Sequence, residues 1–181
     1  MSSGALAIDF VLENEGGLSI NPHDKGGVTK YGISLKFLQY FSRDRLDVYK
    51  FEGDINAQSI IALTEKQARL IYRFEFWVKM PFFKIKDQRI ANYVFDCCVH
   101  HGASTGIKIL QRSLVLISFL EEEIKEDGIL GEKTLKATNL FSELLLHFLP
   151  VVRAAHCCAL ARREPQYREF LHGWIKRCNR I

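Results

Sequence analysis

Glu15, Asp24 and Thr29 lie in one glycine-rich stretch: Glu13-Asn14-Glu15-Gly16-Gly17, then Asp24, Gly26-Gly27, Thr29 and Tyr31-Gly32. A carboxylate at a helix end, a second one in a loop and a nearby hydroxyl are the parts that hydrolysis of a glycosidic bond requires. One carboxyl group must stay protonated near neutral pH to donate to the departing oxygen. The other must stay ionised, to orient a water or balance charge on an oxocarbenium-like sugar. Burial favours the protonated form and an exposed polar loop the ionised one. Glu15, following an apolar helix, is therefore the expected donor and Asp24 its ionised partner. Glycines beside the acid let the backbone approach a bulky sugar chain and turn sharply. The competing reading of the same residues is a helix C-cap followed by a solvated loop.

The pattern of the chain says what must hold these groups. Residues 5–14 read as a helix with Ile8, Val11 and Leu12 on one face, stopped by Gly16-Gly17. Residues 18–34 change character: short extended pieces, Leu18-Ser19-Ile20 and Val28 to Ile33, sit among glycines and predict a small hairpin or glycine-rich loop. Thr64-Glu65-Lys66-Gln67 has the form of a capping box and opens a helix through Ile71, Tyr72 and Phe76. Further helices are expected over 90–99, 104–119 and 139–161, with Pro150 kinking or splitting the last, and Pro165 opening a final helix.

Composition narrows the class. The chain has 181 residues, 48% hydrophobic and 25% charged, with 12 Gly and only 4 Pro, which suits one full globular domain or one and a half. No apolar run approaches the roughly 18 residues of a membrane span; Ser113 to Leu120 is too short and Glu121-Glu122-Glu123 ends it. The N-terminus has no basic start and meets Asp9 too early for a secretory signal, so synthesis in the cytoplasm is expected, with any action outside needing another exit route. Of the net charge of +4, residues 150–181 carry seven Lys/Arg against two Asp/Glu. That basic end could meet an anionic cell-wall polymer, lipid or nucleic acid, or be a solvated helix face.

The five cysteines, Cys97-Cys98, Cys157-Cys158 and Cys178, are odd in number and suit reduced, mostly buried thiols. Neighbours on a helix point about 100° apart, so Cys97 and Cys98 do not chelate as a Cys-x-x-Cys turn does, and no metal is expected there. The stretch from Gly128 to Thr134 lacks the spacing of a phosphate-binding loop. Scattered histidines such as His147, His156 and His172 read as core or rim residues.

Two resemblances sharpen the first reading. Phage lysozymes of the T4 type have a Glu, eight residues, an Asp, five residues and a Thr; here Glu15 and Asp24 have the same eight between them, and Thr29 follows after four. The run Glu15-Gly16-Gly17, Asp24, Gly26 to Ser34 more closely resembles the opening motif of the glycoside hydrolase 108 family of N-acetylmuramidases. The similarity continues through Leu63-Thr64 to Trp77, Val94-Phe95-Asp96 with Gly102, and Leu110-Gln111. Asp127-Gly128, Gly131 and Thr134 resemble a turn of the family's peptidoglycan-binding region, and Phe170 to Arg177 its closing motif.

The resemblance implies a mainly α, lysozyme-like fold. A helical lobe would carry the small hairpin or glycine-rich loop at the cleft, with residues 1–103 catalytic and residues 104–181 a helical peptidoglycan-binding region. It places the catalytic glutamate on Glu15, loop roles on Asp24 and Thr29, and substrate contacts on Gly27, Tyr31, Trp77, Asp96 and His100. Tyr31 and Trp77 are expected sugar platforms, although a core role suits Trp77 equally. The chain departs from the family at His100, where Asn is usual, and at His156, where Tyr is common. The implied partner is the glycan strand of peptidoglycan, with no cofactor, metal, nucleic acid or stable membrane insertion. Compact relatives without a leader serve toxin secretion or phage lysis, reaching the periplasm with a holin or other export partner. A lytic transglycosylase and a non-catalytic peptidoglycan-binding protein are the alternatives.

Overall fold

The computed structural model describes residues 1–19, 27–117 and 124–181. The chain forms two compact units, residues 8–79 and residues 1–7 with 80–181. The fold is mainly α and lysozyme-like, as expected.

Helix α1 (Gly4–Asn14), whose residues 8–14 belong to the first unit, ends at the glycine pair and buries Ile8 and Val11. A two-stranded antiparallel hairpin follows, β1 (Thr29–Lys30) with β2 (Ile33–Ser34), Lys30 facing Ile33 across a two-residue turn. The small hairpin expected in this region thus forms within Val28 to Ser34, and Ser19 is bridged to Thr29 beside it. Tyr31 and Gly32 both have positive φ, 53° and 72°. Two such residues in succession match the right-handed twist of a tight hairpin, which a Tyr-Gly pair does not announce as strongly as Asn-Gly.

Ser34 then caps α2 (Leu35–Gln39), its Oγ accepting from Phe37 N at 3.1 Å. Short helices α3 (Arg43–Val48) and α4 (Ala57–Ile61) lead to α5 (Glu65–Ile71). Thr64 and Gln67 form the expected capping box. Beyond α5 the helix widens into a π-turn over Tyr72–Phe76, which the sequence does not foretell. The π-turn directs Glu75 inward, where it accepts from Arg45 Nε at 2.6 Å, Lys79 Nζ at 2.5 Å and the Tyr49 hydroxyl. Burial would raise this carboxyl, but those donors outweigh it and hold it down at about 2.

The second unit is a helical bundle of α6 (Gln88–His101), α7 (Ala103–Ile117), α8 (Glu132–Leu140), α9 (Ser142–Arg163) and α10 (Leu171–Cys178). Gly106 lets α7 lie against α6: a Cβ there would stand 2.5 Å from the Cys98 backbone nitrogen. Pro150 lies inside α9 without splitting it; the break expected there occurs instead at Phe141. An interior proline costs about 3 kcal/mol. Burial of Leu145, Leu149, Val152 and Arg153 on flanking turns carries the helix through.

Among the described residues α9 is also long and apolar enough to cross a membrane by length and composition, with a mean hydropathy of 1.7 over 18 residues. This corrects the expectation that no segment approaches such a length, because isolated charges interrupt the apolar runs without lowering the average much. One of those charges, Arg153, is 0% exposed and paired with Asp96 at 2.8 Å.

Candidate active site

Glu15 follows the last residue of α1, its backbone N–H still donating to Val11 O at 2.8 Å, so its side chain leaves from a fixed helical turn. The side chain is half-buried and rests against the hairpin turn. A Cβ placed on Gly32 would stand 2.5 Å from Glu15 Oε2, 2.6 Å from its Cδ and 2.7 Å from the Tyr72 hydroxyl. The carboxyl group and the phenol therefore converge on one bare α-carbon, a space that only glycine leaves. The Tyr72 hydroxyl donates to Tyr31 O at 2.7 Å and fastens the left-handed turn from outside the hairpin. Sequence reading singled out Tyr72 only as a helical and motif residue; its place beside the acid depends on a contact between positions some forty apart in the chain.

The other expected site residues are distributed as follows. Asp24 lies outside the described residues. Thr29 is half-buried in β1, its backbone exchanging hydrogen bonds with Ser19 at 2.8 and 3.0 Å. Gly27 is exposed with φ 75°. Tyr31 is half-buried, with Lys30 Nζ 5.6 Å from its ring centre, and it lines an open hollow of about 330 Å³ with Asp9, Leu12, Glu13, Glu65 and Arg69. Glu15 is not among the residues lining that hollow. Trp77 is 8% exposed, so little ring face is available to a sugar, and the core role describes it better.

Asp96 and His100 belong to the other unit. Asp96 is 0% exposed and accepts from Arg177 Nε at 3.0 Å and Arg177 Nη2 at 2.7 Å while pairing with Arg153. Burial would raise its carboxyl, yet the two guanidiniums hold it below the ordinary range. With its oxygens so enclosed, Asp96 is a structural carboxylate of the bundle rather than a surface for substrate. Arg153 also reaches His100 Nδ1 at 3.2 Å and His101 Nε2 at 3.3 Å. The ring of His101 lies 4.2 Å from that of His100 and 5.1 Å from that of His156, so the two departures from the family pattern share a neighbour. Among the described residues no group of three or more His, Cys, Asp or Glu is arranged to hold a metal ion.

Beyond α7 the motif residues of the C-terminal region converge. Gln111 Nε2 donates to Asp127 Oδ1 at 2.8 Å and to Ile129 O at 3.1 Å, and its Oε1 accepts from Gly128 N at 2.8 Å. Asp127 Oδ1 in turn accepts from Ile129 N at 2.8 Å. Leu110-Gln111 and Asp127 to Thr134, separate in sequence, thus make one knot, beside a cavity of about 350 Å³ lined by Ile124, Asp127, Ile129 and Thr134.

The family model described as glycosyl hydrolase 108 matches residues 8–102, more than half of the chain. The chain belongs to this family. A second model, described as a predicted peptidoglycan domain, matches residues 105–179 of this glycosyl hydrolase 108 member. The solved structure of Brucella abortus SagA is similar over 98% of this chain and 90% of that one, with a TM-score of 0.70 and 25% identity. No curated protein sequence matches. The protein is accordingly a peptidoglycan hydrolase of the glycosyl hydrolase 108 family, with a glycosidase region followed by a helical peptidoglycan-binding region.

Proposed function

We propose that this glycosyl hydrolase is an endo-acting N-acetylmuramidase cleaving the bond between N-acetylmuramic acid and N-acetylglucosamine. Glu15 gives its proton to the glycosidic oxygen as the bond to the anomeric carbon breaks. Asp24 positions the attacking water or balances the developing positive charge, and Thr29 helps hold that water. Tyr31 offers an aromatic face to a pyranose ring. The observation that carries the reading is the seat of Glu15: its carboxyl group is set at a helix end, against Gly32 and beside Tyr72, where its position is dictated by packing rather than left to solvent. Preorganised proton donors of this kind lower barriers because no reorganisation is needed as the bond breaks.

In this reading the chain is made in the cytoplasm and acts on the cell wall from the periplasm, reaching it with a holin or another export partner, in the service of protein or toxin secretion or of lysis. Glu15→Gln should abolish release of fragments from purified sacculi while thermal unfolding stays within a few degrees of the parent. Reducing ends in the parent's products support the hydrolase; anhydromuramic ends would replace it by a lytic transglycosylase. Retained activity in Glu15→Gln would remove the assignment.

A further inference from the structure

We propose that Cys157 and Cys178 are a disulfide-forming pair that fastens the C-terminal helix α10 to α9 when the chain meets a disulfide-bearing oxidant. The two Sγ atoms are 4.0 Å apart and both residues are 0% exposed. Rotation of one or both cysteine side chains would have to close the gap to the roughly 2.05 Å of the bond. The remaining thiols are placed differently. Cys158 follows Cys157 on α9 but is exposed, Cys98 lies against Gly106, and burial pushes Cys97 up to about 12. Cys178 is held in place from both sides, since the Tyr93 hydroxyl donates to its carbonyl at 2.7 Å and the preceding Arg177 is tied to Asp96. The contact between the two sulfurs shifts Cys178 down, aided by the positive Arg153 and Arg177 against burial and Asp96, and the same contact, with burial, shifts Cys157 up. The thiolate is the attacking form.

The exchange balances as two substitutions at sulfur. The Cys178 thiolate attacks one sulfur of the oxidant's disulfide, forming a mixed disulfide and expelling the first thiolate. Cys157 loses its proton to that thiolate, or to water, and attacks Cys178 Sγ, expelling the second. The protein gives up two thiol hydrogens, and the oxidant leaves as two thiols. Access comes from local opening of α10, which spans only eight residues and carries exposed His172, Gly173 and Lys176 on its outer side. A bridge would close that route and with it secure the clamp of Arg177 on Asp96. The inference does not depend on the reaction at Glu15.

The test uses the full chain carrying Cys158→Ser, which removes the exposed thiol. After equilibration with oxidised and reduced glutathione at stepped ratios, remaining thiols are alkylated under denaturing conditions and the protein is weighed and mapped. The expected result is an intact mass lower by about 2 Da before alkylation, two of four thiols protected from the alkylating agent, and a linked pair of peptides containing Cys157 and Cys178. The oxidised form should also unfold at a temperature several degrees higher, and dithiothreitol should reverse this. Cys178→Ser should keep three free thiols or carry only a mixed glutathione adduct; should that variant not fold, Cys157→Ala serves the same purpose. Four alkylated thiols after full oxidation, a bridge mapped to Cys97, or an unchanged unfolding temperature would overturn the proposal.

Discussion

Gly32 decides where the acid stands. With φ at 72° and Glu15 Oε2 where its Cβ would go, the position penalises any side chain twice, through backbone strain and through displacement of the carboxyl group. Gly32→Ala is expected to lower hydrolysis of sacculi by about a hundredfold or more and to cost about 1–2 kcal/mol of stability, read by turnover assays beside thermal unfolding. Full activity in a folded Gly32→Ala protein would mean that the carboxyl group does not need its seat. Tyr72→Phe is milder: it removes the donor to Tyr31 O, costing about 1 kcal/mol, and should reduce turnover roughly tenfold with little change in KM. Unchanged turnover would leave Tyr72 as a brace for the hairpin alone. Glu15 stands out in the sequence as a carboxylate between an apolar helix and a glycine pair, and the resemblance to the glycosyl hydrolase 108 family is what gives it a proposed role. The convergence of Gly32 and Tyr72 on it is not legible, since it is a contact between distant segments, and no local propensity encodes which segment will arrive.

At the scale of elements, the signals that survive folding are those written within a few residues. The capping box at Thr64 and Gln67 and the stop after Asn14 both form where their local chemistry puts them. The signals that fail are those that tertiary packing overrides. Pro150 is carried inside α9 by the buried residues around it. Gln111 is intermediate. Its motif is visible, but its purpose emerges only when α7 presents it to the turn at Asp127 and Gly128. Replacing it by Leu keeps most of the volume and leaves Gly128 N–H and Ile129 carbonyl without their partner, while Asp127 loses the donor that most lowers its carboxyl. A loss of about 2–3 kcal/mol is expected, seen as a lower urea midpoint, together with weaker pelleting with insoluble peptidoglycan if this knot shapes the binding region. Unaltered stability would show that water replaces the glutamine.

For the molecule as a whole, the charge of the C-terminal segment does not all face outward. Of its seven cations, Arg153 and Arg177 are turned inward onto Asp96, so a reading from net charge overstates what a polyanion would meet. The same inward cations make the fold sensitive to acid. Burial, with Arg153, His156 and Arg177 adding repulsion, pushes His101 down to about 3. Burial also lowers His100, with Arg177, His101, Arg153 and His156 beside it, and His156, with Arg112, Arg163 and Arg153 nearby. Imidazoles that refuse protons in the fold accept them in the unfolded chain below about pH 6.5. Their contribution is therefore complete above that pH and shrinks as pH falls towards the lowered values, with each histidine steepening the fall by up to about 1.4 kcal/mol per pH unit. Glu75, held near 2, adds its own loss only below about pH 4.5. Between pH 6.5 and 4.5 the histidines should therefore dominate an acid decline in the urea midpoint, and His101→Gln should flatten it even if the variant starts from a lower plateau. A midpoint independent of pH over that interval in the parent would mean that protonated imidazoles are accommodated beside Arg153, against the packing of that cluster.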